Sequence, residues 1–140
     1  MKKMITRVAV CLLLIPLLLG GMACRTQGPY APLKHGTSLE ETESLVLLDK
    51  PLQKMVSVDS QRAGYTPDGR MVAEAVVRNN SSQTLNIQAQ TVFKDGSGFS
   101  SGDETAWETL ILQPNAQSTY RASALNKNSA KYTIRIRMER

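Results

Sequence analysis

The chain has 140 residues, with 17 Lys+Arg against 12 Asp+Glu, one His, two Cys and seven Phe, Tyr or Trp. That is material for one ordinary domain, and it excludes a multidomain enzyme. The apolar 41% is unevenly spread, because residues 8–19 form a twelve-residue apolar run near the N-terminus and the remainder is polar.

Met1 to Arg7 carry three cations and no anion, the apolar run follows, and the small residues Gly20, Gly21 and Ala23 lead into Cys24. This order of basic, apolar and small residues is that of a secretory signal peptide. As a helix the run spans only about 18 Å, short of the roughly 20 residues that cross a bilayer core, so a permanent transmembrane anchor is not expected. The junction Gly20-Gly21-Met22-Ala23-Cys24 resembles the lipobox of bacterial lipoproteins, with Gly21 where the class usually has Leu. The resemblance implies that Cys24 is acylated and becomes the new N-terminus. It also implies sorting to the outer membrane, facing the periplasm, because Arg25 stands where an Asp would retain the protein at the inner membrane. Cysteine usage agrees: Cys11 falls in the removed segment, Cys24 is the one cysteine of the mature chain, and no intramolecular disulfide can form. Anchoring by more than one acyl chain is stable.

Removing residues 1–23 leaves 14 cations against 12 anions, a net +2. That field is too weak to imply nucleic acid. Residues 24–43 are rich in Pro, Gly and polar side chains, with no sustained period, and include Lys34 and the lone His35. They read as the lipidated cysteine and a flexible tether, with a root-mean-square span on the order of 25 Å.

Residues 44–140 change to short apolar alternations separated by turn signals, as in an all-β domain. Strands are predicted over 44–48, 55–60, 70–78, 85–94, 107–112, 117–124 and 131–138. Between them stand Thr66-Pro67-Asp68-Gly69, Asn79-Asn80-Ser81-Ser82, Asp95-Gly96-Ser97-Gly98 and Gln113-Pro114-Asn115-Ala116. Asp-Gly and Asn-rich pairs tolerate positive φ, and Pro presets its own φ. In the last strand Tyr132, Ile134, Ile136 and Met138 alternate with Thr133, Arg135, Arg137 and Glu139. Leu85, Ile87, Ala89, Thr91 and Phe93 repeat the pattern, as do Met71, Ala73, Ala75 and Val77. About seven strands, each with one apolar face, close on a common core as an immunoglobulin-like antiparallel β-sandwich without a cysteine pair. Free edge strands leave a homodimer by strand addition open.

Arg78-Asn79-Asn80-Ser81-Ser82, the run from Gln88 to Asp95, Gly98-Phe99, Trp107, Leu110-Ile111-Leu112 and the closing Tyr132 to Arg137 resemble the YcfL-like family of periplasmic lipoproteins over residues 44–139. The resemblance implies an envelope lipoprotein with a β-sandwich and no assigned activity. In some relatives it implies a gene beside lipoproteins that activate peptidoglycan synthases. It supplies no catalytic residues.

Gly98-Phe99-Ser100-Ser101-Gly102 fits the string of a hydrolase nucleophile elbow, but that motif needs a strand-to-helix turn and a histidine base. Here the surroundings read as a hairpin, and the single His lies in the tether, so no enzyme is expected. Asp95, Asp103 and Glu104 cluster near the same loop without the spacing of a calcium loop, and no metal or cofactor is expected. Trp107 is expected in the core, although alternation sets it opposite Leu110; at the surface it would be an anchor for a partner. Arg121, Arg135 and Arg137 would form one basic stripe if their strands are neighbours, suited to an acidic partner or headgroups. The expectation is a membrane-anchored, non-catalytic binding or accessory module in envelope or cell-wall assembly. The alternative is a structural or stress-related lipoprotein contacting lipid or peptidoglycan without a specific protein partner.

Overall fold

The computed structural model describes residues 38–140. In chain order these form α1 (Leu39–Thr42), β1 (Leu45–Leu47), α2 (Leu52–Met55), β2 (Val56–Tyr65), β3 (Met71–Asn79), β4 (Leu85–Lys94), β5 (Ser100–Glu104), β6 (Glu108–Leu112), β7 (Gln117–Ser123) and β8 (Lys131–Met138). The expected all-β sandwich forms: one sheet runs β1-β8-β4-β5, with β6 also on β4, and the other runs β2-β3-β7. Among the described residues no helix is long and apolar enough to cross a membrane.

Period-two alternation decides what meets between the sheets. β3 turns Met71, Ala73, Ala75 and Val77 inward, β4 contributes Ile87, Ala89 and Phe93, and β8 contributes Ile134 and Ile136. β6 adds Leu110 and Leu112, and β7 adds Tyr120 and Ala122. The small Ala75 pairs across the ladder with Tyr120, so the largest buried side chain sits beside one of the smallest. The Tyr120 hydroxyl stays partnered, lying 3.1 Å from Thr91 Oγ1 and 3.3 Å from Thr105 Oγ1. α2 closes the space before β2 with Leu52, which is fully buried.

The turn chemistry is used as read. Gly69 and Gly98 take φ values of +87° and +91°, where an L side chain would be strained, and Asn115 takes 58°. The Asp95 carboxylate accepts the amides of Ser97 and Phe99 at 2.8 and 3.1 Å, closing the β4–β5 turn.

Three features depart from the expectation. First, eight strands form rather than seven, because residues 100–104 extend as β5 against the end of β4. Its sequence, Ser-Ser-Gly-Asp-Glu, has no apolar alternation and only Asp103 is buried. Second, β1 lies parallel to β8, with Leu45, Val46 and Leu47 opposite Ile134, Arg135 and Ile136, so the sheet is not wholly antiparallel. Periodicity fixes the face a residue occupies and says nothing about strand direction. Third, residues 38–43, read as part of the tether, are structured: the Ser38 hydroxyl accepts the Glu40 amide at 3.1 Å. The Glu40 carbonyl accepts from Lys94 Nζ and from Thr133 Oγ1, the latter at 2.9 Å, so α1 is held against β4 and β8.

The register places the connections at two ends. Lys94 pairs with Lys131, the Ala130 amide donates to the Lys94 carbonyl, and the Ala124 amide donates to the Met71 carbonyl. The β2–β3, β4–β5 and β7–β8 loops therefore share one end, and the chain comes in from α1 at that same end. The β3–β4 and β6–β7 loops lie at the other, where buried Asn79 ties them together.

Candidate functional site

Alternation along β8 turns Arg135 and Arg137 away from the core that Ile134 and Ile136 enter. On β6 the inward Leu110 and Leu112 force Thr109 and Ile111 outward, and Trp107, just before the strand, falls on the same outer face. Register completes the row: Gln88 of β4 pairs with Arg137 on one side and with Thr109 on the other.

The Arg137 guanidinium carbon stands 3.8 Å from the centroid of the Trp107 ring, a cation–π stack. Arg137 Nε donates to Gln88 Oε1 at 3.0 Å, and Gln88 Nε2 reaches Thr109 Oγ1 at 3.5 Å. Thr109 in turn lies 3.4 Å from Glu139 Oε1. Ile111 is 64% exposed beside this row. Both Trp107 and Arg137 are half-buried, so each is fixed by the other before anything binds. A ring, a planar cation with its two terminal nitrogens unpartnered among the described residues, and an adjacent aliphatic side chain can together hold a partner's apolar group and a carboxylate or other oxyanion.

Trp107 is therefore not the core anchor that its size suggested. Phe93 and Tyr120 fill that place, and the inward Leu110 and Leu112 leave Trp107 no route inside. Nor do the three arginines form one stripe. Arg121 belongs to the other sheet, where Glu74 of β3 lies between Arg62 of β2 and Arg121 of β7, with ion-pair distances of 2.5 and 3.3 Å. There it lines a groove of about 370 Å³ with Arg62, Tyr65, Val72 and Glu74. Arg135 shares the sheet of Arg137 but is occupied, pairing with Glu40 at 2.6 and 3.0 Å and lying 4.0 Å from Glu104. Its role is to hold α1.

The acidic loop residues have structural partners. Asp103, 3% exposed, accepts the Leu125 and Asn126 amides at 2.7 and 3.1 Å, and Asp95 closes its own turn. Among the described residues there is no group of three or more His, Cys, Asp or Glu side chains that could hold a metal ion. Ser100 lies on β5 opposite Lys94, in an antiparallel hairpin rather than a strand-to-helix turn. Cys24 and His35 lie outside the described residues. Alternation sets Trp107 and Ile111 on the face opposite Leu110, but it does not join them to Gln88 and Arg137, which only strand register makes neighbours.

A protein-family model described as "Protein of unknown function (DUF1425)" matches residues 43–138. That is nearly the stretch on which the likeness to the YcfL-like family stands. Among solved structures, the chain is similar to a DUF1425 family member from Shewanella sp. pv-4, with a TM-score of 0.55, 20% identity, and coverage of 61% of this chain and 79% of that one. It is also similar to cj0090 from Campylobacter jejuni, with a TM-score of 0.54, 16% identity, and coverage of 69% and 98%. At these identities the likeness is one of fold. No curated protein matches the sequence.

Proposed function

Because this chain belongs to DUF1425, a family of proteins of unknown function, we propose its role from its own residues: a lipid-anchored, non-catalytic binding module of the bacterial cell envelope. The carrying observation is the Trp107–Arg137 stack, ordered by Gln88 and left open on the outer face of the β8-β4-β6 row. Trp is highly buried on average, and here the sequence supplies a core without it. The anchor reading rests on the basic, apolar and small-residue order that ends at Cys24. Acylated Cys24 holds the domain at the periplasmic face of the outer membrane. The Trp107–Arg137 face then receives a protein of envelope or cell-wall assembly that offers an apolar group beside a carboxylate.

The test is in-cell crosslinking of the full-length protein from a photoreactive residue at position 111, with acylation of Cys24 read by mass spectrometry of the mature N-terminus. A dominant crosslink to an envelope-assembly protein is expected. Trp107→Ala should weaken the interaction by at least about 30-fold, the usual consequence of losing an interface anchor worth about 2 kcal/mol. The same substitution should leave the unfolding temperature nearly unchanged, since Trp107 lies outside the core. Crosslinks confined to lipid, cell wall or the protein itself, unaltered by Trp107→Ala, would reject the partner-binding reading.

A further inference from the structure

We propose that the end of the sandwich at which the chain comes in is a membrane-docking surface, where Tyr65, Phe99 and Leu125 enter the headgroup layer and Lys127 and Lys131 meet anionic headgroups. The proposal rests on the lipid-anchor reading above for its setting, and on independent geometry for its substance.

Three large apolar side chains stand exposed at this one end. Tyr65, the last residue of β2, is 62% exposed; Phe99, in the β4–β5 hairpin, is 74%; Leu125, in the β7–β8 loop, is 78%. Tyr65 is set by its pairing with Met71 and also borders the Arg121 groove. Phe99 and Leu125 are presented by braced loops: Asp95 accepts the Phe99 amide, and the buried carboxylate of Asp103 accepts the Leu125 amide at 2.7 Å. An exposed tip held by a buried carboxylate is a maintained projection, and an aromatic or aliphatic residue there gains by leaving water.

The side chains at this end suit a lipid interface. Lys127 and Lys131 are exposed there, as are Glu41 of α1 and Glu43 just after it, while Asp68 pairs with Arg70 at 2.6 Å and Asp95 and Asp103 accept backbone amides. Apolar tips with lysines long enough to reach headgroups beside them match the boundary between acyl chains and the headgroup layer. Tyr and Phe at that depth behave as interfacial anchors.

Chain connectivity selects the source. α1 is fixed at this end by Glu40, Lys94, Thr133 and Arg135, and fourteen residue steps separate Ser38 from Cys24. Fully extended they reach about 50 Å at most. Acyl chains on Cys24 would thus tether the domain by this end. Arg137 lies six residues along β8 from Lys131, about 20 Å further from the membrane at strand rise, so docking leaves the Trp107–Arg137 face accessible.

The experiment exploits Cys24 as the one thiol of the mature chain. The mature protein is coupled through Cys24 to a maleimide-bearing lipid in vesicles of phosphatidylethanolamine and phosphatidylglycerol, which supplies an anchor whether or not cells acylate it. Two reporters are compared on a Trp107→Phe background: Phe99→Trp and, on the outer sheet face, Ile111→Trp. Quenching by brominated lipid should be severalfold stronger at position 99, with a blue-shifted emission there and none at 111. Adding Tyr65→Ser and Leu125→Ser to the Phe99→Trp chain should abolish the difference, with circular dichroism unchanged. Equal quenching at 99 and 111 would overturn the docking surface. Docking on the coupled vesicles together with an unacylated Cys24 in cells would instead overturn the anchor reading alone.

Discussion

Asn79 shows how much one side chain can organise. It is fully buried, its Nδ2 donates to the carbonyls of Gln83, Leu112 and Gln113 at 2.7, 3.0 and 3.1 Å, and its Oδ1 accepts the Ser81 amide and hydroxyl at 2.8 and 2.7 Å. It does the work of several backbone bonds for two loops that have no ladder of their own. Asn79→Ala takes this donor from the Leu112 and Gln113 carbonyls, while Gln83 keeps the Ser81 hydroxyl, and should cost about 2–4 kcal/mol, measured by urea unfolding. A loss below about 0.5 kcal/mol, typical of surface changes, would show that the network is dispensable. Asp49 is a smaller clamp. Its carboxylate accepts the Met138 amide at 2.8 Å and meets Arg140 at 3.3 Å. The Met138 amide above all holds its pKa below the ordinary carboxylate range; burial, the next effect, opposes it, and Arg140 and then Arg137 lower it further. A depressed folded-state value means that the clamp stabilises the fold above the unfolded Asp value of about 3.9 and loses that contribution as pH falls through the folded value. Carbon-detected NMR titration should place the Asp49 midpoint below 3.9; a midpoint at or above it would contradict the clamp.

At the scale of elements, legibility followed the physics of alternation. β4 and β8 form over the residues predicted, β6 and β7 differ by a residue at one end and β3 by a residue at each, because each carries a core face of Ile, Leu, Val, Ala or Phe beside polar residues. β2 was cut short at residue 60. It runs to Tyr65, yet beyond Ser57 its residues are exposed, and it is held by ladder bonds to β3 rather than by burial. β5 escaped notice for the same reason: a strand recruited by a neighbour's free edge needs no apolar period of its own. α1 was hidden among residues read as tether, since four residues show no helical period, and what fixes them is Arg135, about ninety positions away. The candidate site was legible residue by residue and not as a set. Outward Trp107, Gln88 and Arg137 each follow from alternation, but only the β8-β4-β6 register makes them neighbours, and the same register removes Arg121 to the opposite sheet.

For the whole molecule, the most prominent exposed apolar residues fall in different places. Tyr65, Phe99 and Leu125 project at the end where the chain comes in, while Ile111 lies on a sheet face with Trp107 and Arg137. Under the proposed anchor, a domain so built would rest on a bilayer by one end and offer a separate face to a partner without choosing between them.

The parallel pairing of β1 with β8 also makes this molecule directional under load. If the proposed anchor and partner hold, tension between them would pass first through α1 and then lengthwise along β1. Hydrogen bonds such as Ile134 amide to Ser44 carbonyl and Leu48 amide to Ile136 carbonyl, at 2.9 and 2.8 Å, lie across that pull. They are strained together in shear, whereas an antiparallel strand at this edge, pulled from the same end of β8, would come in by a reversed path and peel one bond at a time. In an optical trap with handles at Cys24 and residue 111, α1 should release first at low force, earlier still in Arg135→Ala, and β1 should then fail in one cooperative rupture. Stepwise peeling of β1 would show that its direction confers no such resistance.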